Sequence, residues 1–270
     1  MNIHSQHSLA EIPLMNHSLN APPVFSPENL IEAVKAKRNI QEIRIPDICI
    51  LEFDGDLTEK LRRQDELTEC KSWPCFHTRL WCWQQDRIRC GIVPQTIGGP
   101  YTVLIAEQLA VCGVKAIIGL ASAGRVHPSL PLPSVVIATG AIRDEGVSYH
   151  YLPPSETVEA TPSLVPHLMH SLENLEQPVR SGLIWTTDAP YRETNEDMAH
   201  NAERGALAVE MQAASLFSFG IRKHVPVALV AHVTNAMDHD GRQFEKGAEH
   251  FDIELLSAIC EGTKRWIEST

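Results

Sequence analysis

Four segments combine glycine, hydroxyl, carboxylate and amide residues at the ends of apolar runs. They are Thr96-Ile97-Gly98-Gly99-Pro100, Gly119-Leu120-Ala121-Ser122-Ala123-Gly124, Thr186-Thr187-Asp188-Ala189-Pro190-Tyr191-Arg192 and Val209-Glu210-Met211-Gln212-Ala213-Ala214. Glycines at 98, 99 and 124 let a backbone approach a ligand closely, and Thr102 and Ser122 place hydroxyls beside exposed amides, a cradle for a sugar or an anion. Taken singly, each glycine is explained better by a turn than by a ligand. Asp56 and Asp188 lie in turns after apolar runs and read by themselves as turn carboxylates. His232, Asp238, His239 and Asp240 are metal-capable types, but their spacing matches no metal motif such as HExxH, and no metal is expected.

Such residues need elements to hold them. Ser26-Pro27-Glu28-Asn29 reads as a helix start, with Ser26 as cap and Pro27 in the first turn. Apolar, β-branched runs at Ile48–Phe53, Ile88–Val93, Ala116–Leu120, Val135–Ala141, Ser181–Thr187, Ala206–Met211 and Val225–Val233 predict strands. Helical patterns lie between several of them, at Thr102–Cys112, Ser163–Leu175, Asn195–Arg204 and Gln212–Phe219, and a last helix spans Gly247–Ile267. Alternating strands and helices predict an α/β fold, with mostly parallel strands and a ligand site at strand ends. Residues 1–25 lack periodicity and predict a mobile arm, with a single domain over 26–270. Trp73, Trp81 and Trp83, close to Cys75 and Cys82, read as core or subunit interface.

Composition narrows the function. Among 270 residues, 23 Lys and Arg stand against 34 Asp and Glu, a formal charge of −11, which disfavours nucleic acid and anionic membrane as partners. Seven cysteines without a CxxC pair, and no basic start leading into an apolar run, predict reduced thiols in the cytoplasm.

The four segments in order resemble the nucleoside phosphorylase and nucleosidase superfamily, which includes uridine phosphorylase, hexameric purine nucleoside phosphorylase and methylthioadenosine nucleosidase. The resemblance runs from about Ile48 to the C-terminus. It rests on IGGPYTVLIAEQLAVCGVKAII (97–118), SAG (122–124), GAIRDEGVSYHYLP (140–153) and VEMQAA (209–214). It implies a three-layer α/β sandwich around a mixed central sheet flanked by helices. It also implies a homodimer, homotrimer or homohexamer that breaks the C1′–base bond of a nucleoside-like small molecule, without an organic cofactor and with inorganic phosphate as a candidate co-substrate.

Residue by residue, the resemblance puts Met211 and Gln212 on the ribose, with Glu210 before them, and Thr102, Ser122 and Gly124 near the acceptor. Asp188, Arg192 and Asn235 fall near the base. Several positions depart from the family pattern: Gln212 replaces a glutamate, Asn235 an aspartate, and Glu59 and Gly119 stand where phosphate-binding arginines belong. Losing two guanidinium groups weakens an anion site by several kcal/mol, since charge-assisted bonds contribute about 1.5 to 3 each. Arg125, Arg143, Arg87 and Arg89 are the candidate replacements. The expected chemistry is therefore ribosyl transfer to water, with Asp56 as base. The alternatives are phosphorolysis of a uridine or 6-oxopurine nucleoside through replacement anion ligands, and a repurposed pocket that binds without turnover.

Overall fold

The computed structural model describes residues 12–236 and 251–270. In chain order the elements are α1 (Pro27–Arg38), β1 (Ile48–Glu52), α2 (Asp56–Arg63), β2 (Leu67–Glu69), β3 (Trp81–Gln85), β4 (Ile88–Pro94), α3 (Gly99–Val111), β5 (Ala116–Arg125) and β6 (Ser134–Asp144). There follow β7 (Thr157–Glu159), α4 (Val165–Leu172), β8 (Val179–Thr187), α5 (Asn195–Glu203), β9 (Ala208–Glu210), α6 (Ala213–Lys223), β10 (Val227–Ala236) and α7 (Phe251–Ser269). The start expected for the last helix, at Gly247, lies outside the described residues.

The strands lie in one mixed sheet covered on both faces by helices. Side chains alternate across it, as the two-residue strand period requires. Cys49 and Leu51 of β1 join a core with α3 and α6, while Ile48 and Ile50 join another with α2, α4 and α7. The architecture is the three-layer α/β sandwich that the sequence implied.

Two features shape the site. First, β6, β8 and β9 oppose β1, β5 and β10 in direction, where a mostly parallel sheet was expected. The connection 126–133 carries no crossover helix, so the chain returns antiparallel. Second, β10 pairs with both β6 and β5, closing β10, β6, β8, β9 and β5 into a ring. Closure sets Asn235 opposite Gly124, Gly124 opposite Val209, and Val209 opposite Trp185. The β10 register shifts between Val233 and Asn235, a bulge of the kind that re-aims side chains beside a site.

Of the N-terminal segment, residues 1–11 lie outside the described residues. His17 meets the backbone oxygen of Tyr149 at 2.9 Å and stacks on His150, and Arg222 donates to the Leu19 carbonyl at 2.6 Å.

Candidate active site

β1 ends at Glu52, opposite Leu120 of β5, and the residues just beyond this pair on both strands set up the first half of the site. Glu52 is a buried carboxylate whose oxygens accept from Leu57 N at 2.7 Å, Thr58 N at 3.1 Å and the Thr58 hydroxyl, capping α2 from the preceding strand. Burial raises its pKa against those bonds. Gly55, at φ +96°, turns the chain between Asp54 and Asp56. The Ser122 hydroxyl donates to Asp54 Oδ2. Asp54, Asp56, Ser122, His232 and Asp252 line a pocket of about 50 Å³, room for a few water molecules. Among its described lining residues there are carboxylates and one histidine but no lysine or arginine.

The ring supplies the second half. β9 pairs antiparallel with the end of β5, Val209 opposite Gly124, and Met211 and Gln212 follow directly on it. Glu210 is buried and fully used: Oε1 accepts from the Thr186 hydroxyl at 2.6 Å, and Oε2 from Gln212 N at 2.6 Å and Ala213 N at 2.9 Å. Burial pushes its pKa up to about 7, opposed by those bonds. A carboxylate over the first amides of α6 fixes the turn that presents Met211. Gln212 is also buried, its Oε1 accepting from Met211 N at 3.1 Å.

On the β6–β8 side, Asp188 Oδ2 accepts from Gly146 N at 2.8 Å, and burial raises its pKa. Neighbouring Glu145 is buried and accepts from Val147 N, Ser148 N and the Ser215 hydroxyl.

Comparison with known proteins supplies the deciding observation: the family model of the phosphorylase superfamily matches residues 47–260. The chain belongs to the phosphorylase superfamily. Among curated relatives it is similar to a uridine phosphorylase of Treponema pallidum, 30% identical over 62% of this chain and 69% of that one. A guanosine phosphorylase of Halorubrum lacusprofundi is 28% identical over 64% of this chain and 70% of that one. The match to a protein of Acanthamoeba polyphaga mimivirus, 29% identical over 62% of this chain, spans 63% of that protein's length. The crystal structure of uridine phosphorylase from Vibrio fischeri shares the fold, with a TM-score of 0.64 and 20% identity over 84% of this chain and 93% of that chain.

Within this superfamily fold, the residues expected from sequence fall into two groups. Asp56 and Ser122 share one pocket; Gly124 and Asn235 pair in the ring, Met211 and Gln212 follow β9, and Asp188 lies two residues beyond Thr186, the β8 partner of Glu210. Thr102 and Glu210 instead belong to the frame. Thr102 is fully buried and its hydroxyl donates to the Thr96 carbonyl at 2.5 Å, which ties α3 to the end of β4. Arg192 is exposed on the loop after β8.

The candidate replacement arginines lie apart from the acidic pocket. Arg143 is buried, donating to the hydroxyls of Ser148 and Ser155 and to the Pro153 carbonyl. Arg125 lines a separate groove with Asn195 and Met198, and Arg89 lies on β4 beside Cys82. Sequence reasoning missed Asp54, Glu52 and Glu145. The signal for Glu52 was a lone charge inside an apolar run, with a hydroxyl residue six positions later at a helix start. Of the metal-capable cluster, Asp238, His239 and Asp240 lie outside the described residues, and no group of three such side chains occurs among the described ones.

Proposed function

We propose that this protein cleaves the N-glycosidic bond of a nucleoside-like molecule and transfers the ribosyl group to water. The observation that carries this reading is the Ser122–Asp54 hydrogen bond. By resemblance, the Ser122 hydroxyl stands where an acceptor phosphate would be held, and it is already answered by a carboxylate. At about 4 Å, each like-charge pair costs on the order of 1 kcal/mol in a water-like medium and 4 kcal/mol near a protein surface. A phosphate dianion facing Asp54 and Asp56 meets several such terms at once. Water meets none, and a carboxylate beside it is the base that hydrolysis needs.

In this reading Asp56 takes the proton from water as it attacks C1′, while the departing base pulls away and the ribose becomes oxocarbenium-like. Asp54 and Ser122 set the water's position. Met211 packs on the ribose, and Gln212 offers its amide to a hydroxyl. Asp188, with its raised pKa, and Asn235 serve the leaving base. Self-association is part of the same proposal: α3 and α6 leave the apolar side chains of Leu104 and Ile221 exposed, and a homo-oligomer would cover them.

The test is chromatographic release of free base from purine, pyrimidine and 5′-modified nucleosides, with and without inorganic phosphate. Equal release in both arms, with free sugar as product, is expected. Release that requires phosphate and yields a sugar phosphate would overturn the water reading, and no release from any substrate would overturn glycosidic cleavage.

A further inference from the structure

The sheet edge remote from the site holds two cysteines in an arrangement that catalysis does not use. Thr68 of β2 pairs with Cys82 of β3, and the ladder continues with Cys70 N donating to the Leu80 carbonyl at 2.8 Å. Cys70 is two residues beyond Thr68, so its side chain shares a face with that of Cys82 as a diagonal cross-strand neighbour. Cys70 Sγ donates to the Arg44 carbonyl at 3.4 Å, and both cysteines open into the same groove. Arg89 Nη2 reaches Cys82 Sγ at 3.8 Å from β4, and Cys70 Sγ meets Ser72 Oγ at 3.5 Å. Both sulfurs are half-buried and line a groove of about 480 Å³ with Arg44, Ser72, Gln84 and Arg89, wide enough for a small oxidant to enter.

We infer that Cys70 and Cys82 form a peroxide-reactive dithiol that closes to a reversible disulfide, with Cys70 as the attacking sulfur and Cys82 as the resolving one. The microenvironments of the cysteines agree. The hydrogen bond from Cys82, then Ser72 and the Arg89 charge, bring the Cys70 thiol down to about 6 against the opposing effect of burial. Burial raises Cys49, Cys75 and Cys90 and pushes Cys112 up to about 12. A thiolate in an electropositive, accessible setting reacts, whereas buried thiols are inert.

The steps balance with hydrogen peroxide as oxidant. The Cys70 thiolate attacks one peroxide oxygen, the O–O bond breaks, and hydroxide leaves to become water by taking up a proton. The sulfur is oxidised by two electrons to a sulfenic acid while the peroxide is reduced. Cys82 then attacks the Cys70 sulfur, the S–O bond breaks, and hydroxide departs with the Cys82 proton as a second water. The bond needs sulfurs about 2.05 Å apart, which two same-face cysteines on an edge hairpin reach by side-chain rotation and a shift of the strand end.

The experiment treats the full chain with a small excess of hydrogen peroxide, alkylates the remaining thiols, digests with trypsin and maps the peptides by mass. A crosslink joining peptide 64–71 to peptide 80–87, reversed by dithiothreitol, is expected. Cys82→Ser should instead leave a sulfenic acid at Cys70 that dimedone traps. Cys70→Ser should abolish the crosslink and slow peroxide-dependent thiol loss by roughly tenfold. Site-resolved alkylation of the unmodified chain at pH 7 gives a readout that does not depend on variants folding, with Cys70 labelled roughly tenfold faster than the buried thiols. Peptides that stay separate after peroxide, or thiols that react at equal rates, would overturn the assignment.

Discussion

Asp54 and Asp56 flank one glycine and share one pocket, yet the proposed chemistry separates them: Asp56 takes a proton, and Asp54 holds Ser122. Removing the base leaves the substrate's contacts in place but deprives water of its proton acceptor, worth about 10²- to 10⁴-fold in rate. Asp56→Asn should therefore lower kcat by that factor with KM nearly unchanged, measured as steady-state base release. Asp54→Asn keeps a partner for Ser122 through its amide oxygen and should lower kcat less. Equal loss in both variants, or none in Asp56→Asn, would sink the division of labour. At this scale the sequence was partly legible. Residue types marked the Met211-Gln212 turn, but nothing in a linear string shows that the Thr102 hydroxyl is spent on Thr96 or that Glu210 is enclosed by the amides of its own turn.

The elements that were legible are those with enough apolar residues to reveal their period: all five residues of β1 are buried, and α3 and α6 are apolar through most of their length. Those that escaped had other sources of stability. In α2, DLTEKLRR, few side chains are buried, and its start is capped by Glu52 from the strand before it. β2 and β7 are three residues each and exist because β3 and β6 complete them, and the β5–β9 and β5–β10 pairings that close the ring join segments too far apart in the chain to be read locally. Packing between α3 and α6 gives a prediction at this scale. A Cβ on Gly99 would lie 2.2 Å from Ser215 Oγ and 3.1 Å from Ser215 Cβ, so no rotation of that hydroxyl alone relieves the overlap. Gly99→Ala should force α3 off α6 and disturb the Ser215–Glu145 bond, destabilising the fold by about 1 to 3 kcal/mol in urea titration. An unchanged midpoint would show that the two helices are not held in register by this contact.

For the molecule as a whole, carboxylates outnumber basic groups, and several are held where charge is costly. Glu193, on the loop before α5, has an Oε2 that is buried without a hydrogen-bond partner among the described residues, and burial alone pushes its pKa up to about 7. Glu52, Asp188 and Glu210 are raised in the same direction, chiefly by burial. An acid whose folded pKa lies above its unfolded value holds its proton longer in the fold. Its contribution to stability is complete below the unfolded value near 4.5 and is lost as pH rises toward about 7. The formal charge of −11 acts in the same sense, since self-repulsion grows as the carboxylates ionise. His232 opposes this trend on the acid side: burial lowers its pKa, so its contribution is complete above the unfolded value near 6.5 and falls away as pH drops below it. The melting temperature should therefore peak on the acid side of neutrality and decline toward pH 8. Glu193→Gln removes one of the costly charges. Because the side chain is only partly buried, the expected gain is modest, roughly 2 to 4 °C at pH 8 and close to zero at pH 5. A gain of equal size at both pH values would mean that the amide stabilises by new contacts, and a melting temperature that climbs steadily to pH 8 would mean that buried carboxylates do not govern the molecule's pH response.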